Sequence, residues 1–154
     1  MPFFVEKLLA KGKDAIGLTG EDLFREYLLR YYRSRLQVLK IIKWNDKRAQ
    51  YNKPVLALIG PETKNLDNIP KEQSVAIASK YKFLAKRYLN LLEDTRGFCF
   101  QKFYFNGSVE TSCSAGISDL VIDIVYTGRT IQEQGLKVYD KIFESNFVII
   151  GEKR

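Results

Sequence analysis

Leu120 to Thr130, L-V-I-D-I-V-Y-T-G-R-T, constrains this chain more than any other stretch. An apolar run of six residues bounded by turn formers reads as a buried strand. Asp123 stands inside that run, where an unpaired carboxylate is costly. Spacing alone leaves two roles open for it: a group aimed at a ligand beyond the strand's carboxyl end, or a structural acceptor for the turn that follows. Thr127-Gly128-Arg129-Thr130 then makes a tight turn of mostly small residues into a helix start. Such a turn leaves backbone N–H groups aimed outward and suits a phosphate. A carboxylate for ribose hydroxyls and a cradle for the attached phosphate would lie within one short loop. Open α/β sheets bind ligands at that end of their strands.

The rest of the composition narrows the chemistry. At 154 residues with 45% hydrophobic content, the chain suits one domain, or two small lobes sharing a core. There is no histidine, which removes the commonest general base and most zinc sites. Cys99 and Cys113 form no ligand pattern, so a reducing, cytoplasmic compartment is expected. No apolar run reaches the roughly 18–20 residues that span a bilayer, and Met1 to Lys7 does not read as a signal peptide. The net charge of +7 favours anionic partners. The cations are dispersed rather than clustered, which argues against nucleic acid. The aromatic-basic alternation of Phe98 to Phe105 is read as a two-sided strand before it is read as a base-stacking surface.

Along the chain, strands are expected at 14–18, 36–44, 55–59, 74–78, 98–105, 120–125, 138–143 and 147–150. Helices are expected at 3–10, 21–31, 80–93, 109–114 and 130–134. Ser79 is the expected N-cap of the helix at 80–93, and Ser108 of the one at 109–114. Gly60 to Pro70, with two prolines, is the linker candidate. Strands alternating with helices argue for an α/β fold with largely parallel sheets.

The chain resembles the catalytic domain of ATP phosphoribosyltransferase, the first enzyme of histidine biosynthesis. Glu110, Gly116, Ser118, Val121, Asp123, Ile124, Thr127, Gly128 and Thr130 stand at that family's spacing, with Ile131 where Leu or Met is usual. Asn106-Gly107-Ser108-Val109-Glu110 matches its G-S-V-E segment, and Gly135-Leu136 fits downstream. Ala78-Ser79-Lys80-Tyr81 with Lys86-Arg87-Tyr88 is similar to its A-T-K-Y…R-R-Y helix start, although Lys82, Phe83 and Ala85 replace Pro, Asn and Thr. Asp14 to Asp22 resembles its D-I-G-I-T-G-x-D. No counterpart of the family's opening basic P-K-G-R-L segment is found, and Pro2-Phe3 aligns with a helix well inside its first lobe.

The resemblance implies a two-lobed, periplasmic-binding-protein-like (type II) fold. Residues 1–60 would form an incomplete first lobe. Residues 61–144 would form a second lobe carrying the loop for phosphoribosyl pyrophosphate (PRPP), and 145–154 a strand returning to the first. The implied reaction joins adenine N1 of ATP to the ribose C1 of PRPP and releases pyrophosphate with the help of Mg²⁺. Thr127, Gly128, Arg129 and Thr130 would hold the 5-phosphate. Asp123, with Asp119, would hold the ribose hydroxyls or the magnesium, and Thr19, Gly20, Asp22, Gly107, Ser108 and Glu110 are further cleft candidates. An incomplete first lobe would leave an edge or apolar face and favour a homo-oligomer or a partner subunit. The alternative is a non-catalytic relative that binds PRPP or a nucleotide.

Overall fold

The computed structural model describes residues 1–153, so the last residue of the expected returning strand lies outside the described residues. Pro2 opens helix α1 (Pro2–Ala10) at the first-turn position where its missing N–H costs nothing. Strand β1 (Ile16–Gly20) runs directly into α2 (Glu21–Arg30), whose first turn carries Glu21 and Asp22 where the helix dipole favours anions. β2 (Leu36–Ile42), β3 (Val55–Pro61) and β4 (Glu72–Ala78) follow. A single 3-10 turn, Ser79–Tyr81, then leads into α3 (Lys82–Arg96). Gly97 ends α3 in the left-handed region, φ 71°, as a helix C-terminus prefers. β5 (Cys99–Phe105), α4 (Val109–Ser114), β6 (Leu120–Val125), α5 (Arg129–Glu133), β7 (Leu136–Glu144) and β8 (Phe147–Glu152) complete the chain.

These elements form two sheets. β1, β8 and β2 make a three-stranded sheet in that order, and β5, β4, β6, β3 and β7 make a five-stranded one. The two-lobed α/β architecture stands, but the lobe boundary moves. β3 lies between β6 and β7 in the larger sheet, so the chain has already crossed over before Val55 rather than at Gly60. The Gly60–Pro70 stretch is a turn inside the larger lobe. Prolines and glycines mark any change of direction, and they do not distinguish a sheet turn from a lobe crossing.

The expectation of largely parallel sheets is also corrected. Only β4 with β5 and β4 with β6 are parallel; β3 is antiparallel to both its neighbours, and β8 to both of its own. Alternation of strands with helices suggests parallel neighbours, and the unbroken buried run of β3 is compatible with that. Such a run reports burial on both faces and says nothing about direction. The link from β3 to β4 contains no helix, and parallel neighbours usually need one to cross over.

The lobes do not share a core. The larger cluster gathers around Leu56, Leu58, Ile59, Ile77, Leu89, Leu120 and Ile122. The smaller has only Val5, Phe24, Leu36, Val148 and Ile150 as buried members. α1 and α2 cover one face of the small sheet. On its other face Ile16 and Leu18 are 71% and 55% exposed, and Leu39 and Ile42 stand open beside them.

Phe24 is the largest buried side chain of the small core. Phe24→Ala should cost about 3–5 kcal/mol. Hydrogen exchange should then show β1, β2 and β8 losing protection while β3 to β7 keep it.

Candidate functional site at the lobe boundary

The parallel trio β5, β4 and β6 ends along one edge of the large sheet, at Phe105, Ala78 and Val125. Three loops leave that edge: Ser79–Tyr81, Asn106–Ser108 and Tyr126–Gly128. Ser79 Oγ hydrogen-bonds Asn106 Oδ1, which ties the first loop to the second. Ser79 is therefore not the N-cap of α3. Ser108 does stand at the N-cap of α4, in the left-handed region at φ 48°, but its side chain makes no capping bond. Its carbonyl accepts from Thr111 Oγ1 at 2.6 Å instead.

Asp123 points toward this edge. Its Oδ1 accepts the Ile124 amide at 2.7 Å, and among the described residues no group donates to Oδ2. Burial raises its pKa above the ordinary 3.8, and the nearby Glu110 carboxylate adds to the rise. The Ile124 amide and the Lys80 ammonium oppose it. Asp123 on β6 therefore senses both Glu110 at the start of α4 and Lys80 in the turn after β4. The hydroxyl of Tyr81 feels Asp123 as well, and burial together with its bond to Asp22 holds it far above the usual phenol range.

Beyond β6, Gly128 takes φ 78° and starts α5. A side chain there would be strained and would also collide with Gln50. The Gln50 amide donates to the Tyr126 carbonyl at 2.8 Å and holds the crossing segment against the loop. Among the described residues the amides of Gly128 and Thr130 donate to no protein group, and the Arg129 amide reaches only Thr127 Oγ1 at 3.4 Å. The side chains of Thr127, Arg129 and Thr130 are exposed. The loop borders a cavity of about 420 Å³ lined by Gln50, Glu62, Thr127, Gly128, Gln132 and Lys137, among others. A second cavity of about 470 Å³ lies between the lobes, where Arg30, Lys80 and Lys82 meet Tyr27, Tyr31 and Phe83.

The other candidates divide. Gly107 and Glu110 flank the same edge. Asp119 does not join them: it precedes β6, at the opposite end of the strand. Its carboxylate there accepts the Ser74 amide at 2.8 Å and the Ser74 hydroxyl at 3.0 Å. Thr19 is buried within β1, paired with Val148. Gly20 is the backbone N-cap of α2, and a side chain on it would strike the Asp22 carboxylate. Asp22 is only 7% exposed and fully engaged. Ser145 Oγ donates to its Oδ1 at 2.7 Å and the Tyr81 hydroxyl to its Oδ2 at 2.6 Å. Sequence reasoning passed over Lys80 and Gln50 as site residues. Lys80 lies in a segment whose resemblance to the family was visible; no local signal marks Gln50.

A loop with outward-facing, unpartnered amides and a half-buried carboxylate with one oxygen lacking a protein donor meet on a sheet edge between two α/β lobes. The family description ATP phosphoribosyltransferase matches residues 3–154, and the chain belongs to that family. ATP phosphoribosyltransferase from Caldicellulosiruptor bescii is 33% identical over 152 residues, covering 99% of this chain and 65% of the relative. The Caldicellulosiruptor saccharolyticus enzyme is 33% identical over 143 residues, covering 93% and 61%. The chain thus spans less than two thirds of these relatives' length. Among solved structures, the ATP phosphoribosyl transferase (HisG:HisZ) complex from Thermotoga maritima superposes with a TM-score of 0.70 at 29% identity, over 98% of this chain and 65% of that one. The periplasmic aliphatic sulphonate binding protein of Escherichia coli shares the fold alone, with a TM-score of 0.59 at 14% identity over 96% of this chain and 50% of that one.

A carboxyl whose pKa is raised by folding binds its proton more tightly in the folded state, so stability falls as pH rises above about 4 toward neutrality. Asp123→Asn removes that slope and keeps an oxygen for the Ile124 amide. The variant should unfold at a higher temperature than the parent at pH 7, with the gap closing as pH falls toward 4. Thermal scans across that range check both the sign and the convergence.

Proposed function

We propose that this chain carries the phosphoribosyl-binding part of an ATP phosphoribosyltransferase. In this reading it joins adenine N1 of ATP to the ribose C1 of PRPP and releases pyrophosphate, the first step of histidine biosynthesis in the cytoplasm. One observation carries the reading: Asp123 keeps an oxygen without a protein partner, four residues before a loop whose Gly128 and Thr130 amides are equally unpartnered. Ribose hydroxyls donate to the carboxylate, and the 5-phosphate accepts from the loop amides and the hydroxyls of Thr127 and Thr130. Arg129 contributes its amide, and its exposed side chain contributes charge at most.

The reaction needs little from the protein as acid or base. Adenine N1 already has a lone pair; it forms the bond to C1 as the bond from C1 to the pyrophosphate oxygen breaks. A chain without histidine can serve such a step, because the demand is charge placement. The developing positive charge on the ribose is favoured beside Asp123 and Glu110. Lys80, Lys82 and Arg30 line the cavity next to it and supply the charge a triphosphate or a departing pyrophosphate requires.

Among the described residues no three carboxylate, cysteine or histidine side chains gather to hold a metal on their own. That suits magnesium carried in by the phosphates, with Asp123 as one protein ligand. Bound there, it would neutralise the leaving group.

Calorimetric titration with PRPP tests the site. Asp123→Asn and Thr127→Ala should each weaken binding about tenfold or more, since hydrogen bonds to charged groups are worth roughly 1.5–3 kcal/mol. Two variants that bind like the parent would sink the assignment. The alternative reading is binding without turnover. Release of pyrophosphate in a coupled assay decides between the two.

The bare face of the small sheet supports association with a second copy or a partner subunit. No helix among the described residues is long and apolar enough to cross a membrane. Light scattering should give a mass above that of one chain, and Ile16→Lys combined with Leu18→Lys should return it to a monomer. A mass untouched by the pair would place the contact elsewhere.

A further inference from the structure

The candidate site and the lobe boundary share one segment, residues 79–84. At its start, Ser79 is bonded to the end of β5 through Asn106. At its end it is gripped from the other lobe. Asp22 and Glu26 stand one helical turn apart on α2 and so project from the same face. Asp22 takes the Tyr81 hydroxyl at 2.6 Å and the Ser145 hydroxyl at 2.7 Å. Glu26 takes the Phe83 amide on Oε1 at 2.6 Å and the Leu84 amide on Oε2 at 2.7 Å.

Those two amides belong to the first turn of α3, which every helix leaves without internal partners. No side chain at the N-cap of α3 serves them. The helix that follows Lys80 is therefore capped only while the lobes stay together. A carboxylate at a helix N-terminus also gains from the dipole, and all four bonds end on a side-chain carboxyl oxygen.

The remaining ties between the lobes lie near the crossings. The Trp44 amide and Lys53 Nζ donate to Asn146 Oδ1 at 3.1 and 3.3 Å, and the Glu21 amide donates to the Asn146 carbonyl at 2.7 Å. The crossings act as the pivot, and the grip of α2 on residues 81–84 lies away from it.

We infer that Asp22 and Glu26 are positioning residues: an interlobe clamp that holds segment 79–84 in place and so sets Lys80 opposite Asp123. This rests on the sugar-phosphate reading of the site. It gives α2 a task that neither its amphipathic pattern nor its acidic first turn requires.

The test uses the whole chain with Glu26→Gln, Glu26→Ala and Tyr81→Phe. Hydrogen exchange should quicken about tenfold at Phe83 and Leu84 in the Glu26 variants. Solution scattering should show a larger radius of gyration, and PRPP affinity should fall about tenfold. Glu26→Gln, which keeps one acceptor, should fall between Glu26→Ala and the parent. Leu89→Ala, in the large core, controls for lost stability: it should lower the melting temperature and leave radius and affinity unchanged. Faster exchange with unchanged scattering and affinity would reduce Glu26 to a local cap and overturn the inference. If the parent binds no PRPP, the sugar-phosphate reading fails by itself; scattering then still decides the clamp, which an unchanged radius rejects.

Discussion

The smaller lobe exists because β8 comes back to it. β8 is the middle strand of a three-stranded sheet and pairs antiparallel with β1 on one side and β2 on the other. Without it those two strands share no hydrogen bond. Val148 and Ile150 are also two of the five buried members of the small core. The partners lie more than a hundred residues apart, as Leu36 with Glu152 illustrates. Such contacts carry a loop-closure cost that local contacts do not. The large sheet, whose own pairings are closer in sequence, brings Glu144 to the boundary, and only Ser145 and Asn146 separate it from β8. The large lobe thus acts as the frame that delivers the strand, and Ser145, in the act of crossing, meets Asp22.

Sequence alone was a good guide to individual elements and a poor one to their arrangement. β6 at Leu120–Val125 and α4 at Val109–Ser114 fall where hydrophobic period and turn residues put them. Local patterns carry that information because they reflect which side of an element is buried. Strand direction and lobe membership do not reside in any local pattern. Val55 to Ile59 is apolar throughout because helices or strands cover it on every side, which holds for a central strand of either direction. The crossing into the large lobe, residues 43–54, holds no glycine and a single proline, Pro54, at its end. Hydrogen bonds tie it down, the Asp46 amide to the Asn52 carbonyl at 2.7 Å among them, so no cluster of turn residues marks it.

The candidate site divides along the same line. Asp123 and the Thr127–Thr130 loop were legible because strand, carboxylate and turn are contiguous. Asp119 was misplaced by the same contiguity. Four residues along a strand cover about 13 Å, and the two aspartates sit toward opposite ends of β6. What completes the cleft arrives from elsewhere: Lys80 from after β4, Gln50 from the crossing and Glu26 from the other lobe. Each is an ordinary polar residue by itself, and only the pairing of distant segments gives it a role. Asp22 looked like a dipole-favoured residue in the first turn of a helix. That holds, yet its burial by Tyr81 and Ser145 is the larger fact.

Asp22 and Asp123 contrast in how far the protein itself satisfies them. Asp22 is buried and Asp123 half-buried, and both stand at the lobe boundary. Asp22 receives a hydroxyl on each oxygen, so its charge is spent within the protein and no lone pair is directed at a ligand. Asp123 receives a single amide, and burial lifts its pKa. Partial burial of an acceptor short of protein donors costs stability. Every other position of β6 is Leu, Val or Ile. Oδ2 is left open to donors from outside the protein, water among them. The neighbouring loop has amides that lack protein acceptors. On the proposed reading a sugar phosphate would meet both at once, its hydroxyls at Asp123 and its anionic oxygens at the loop.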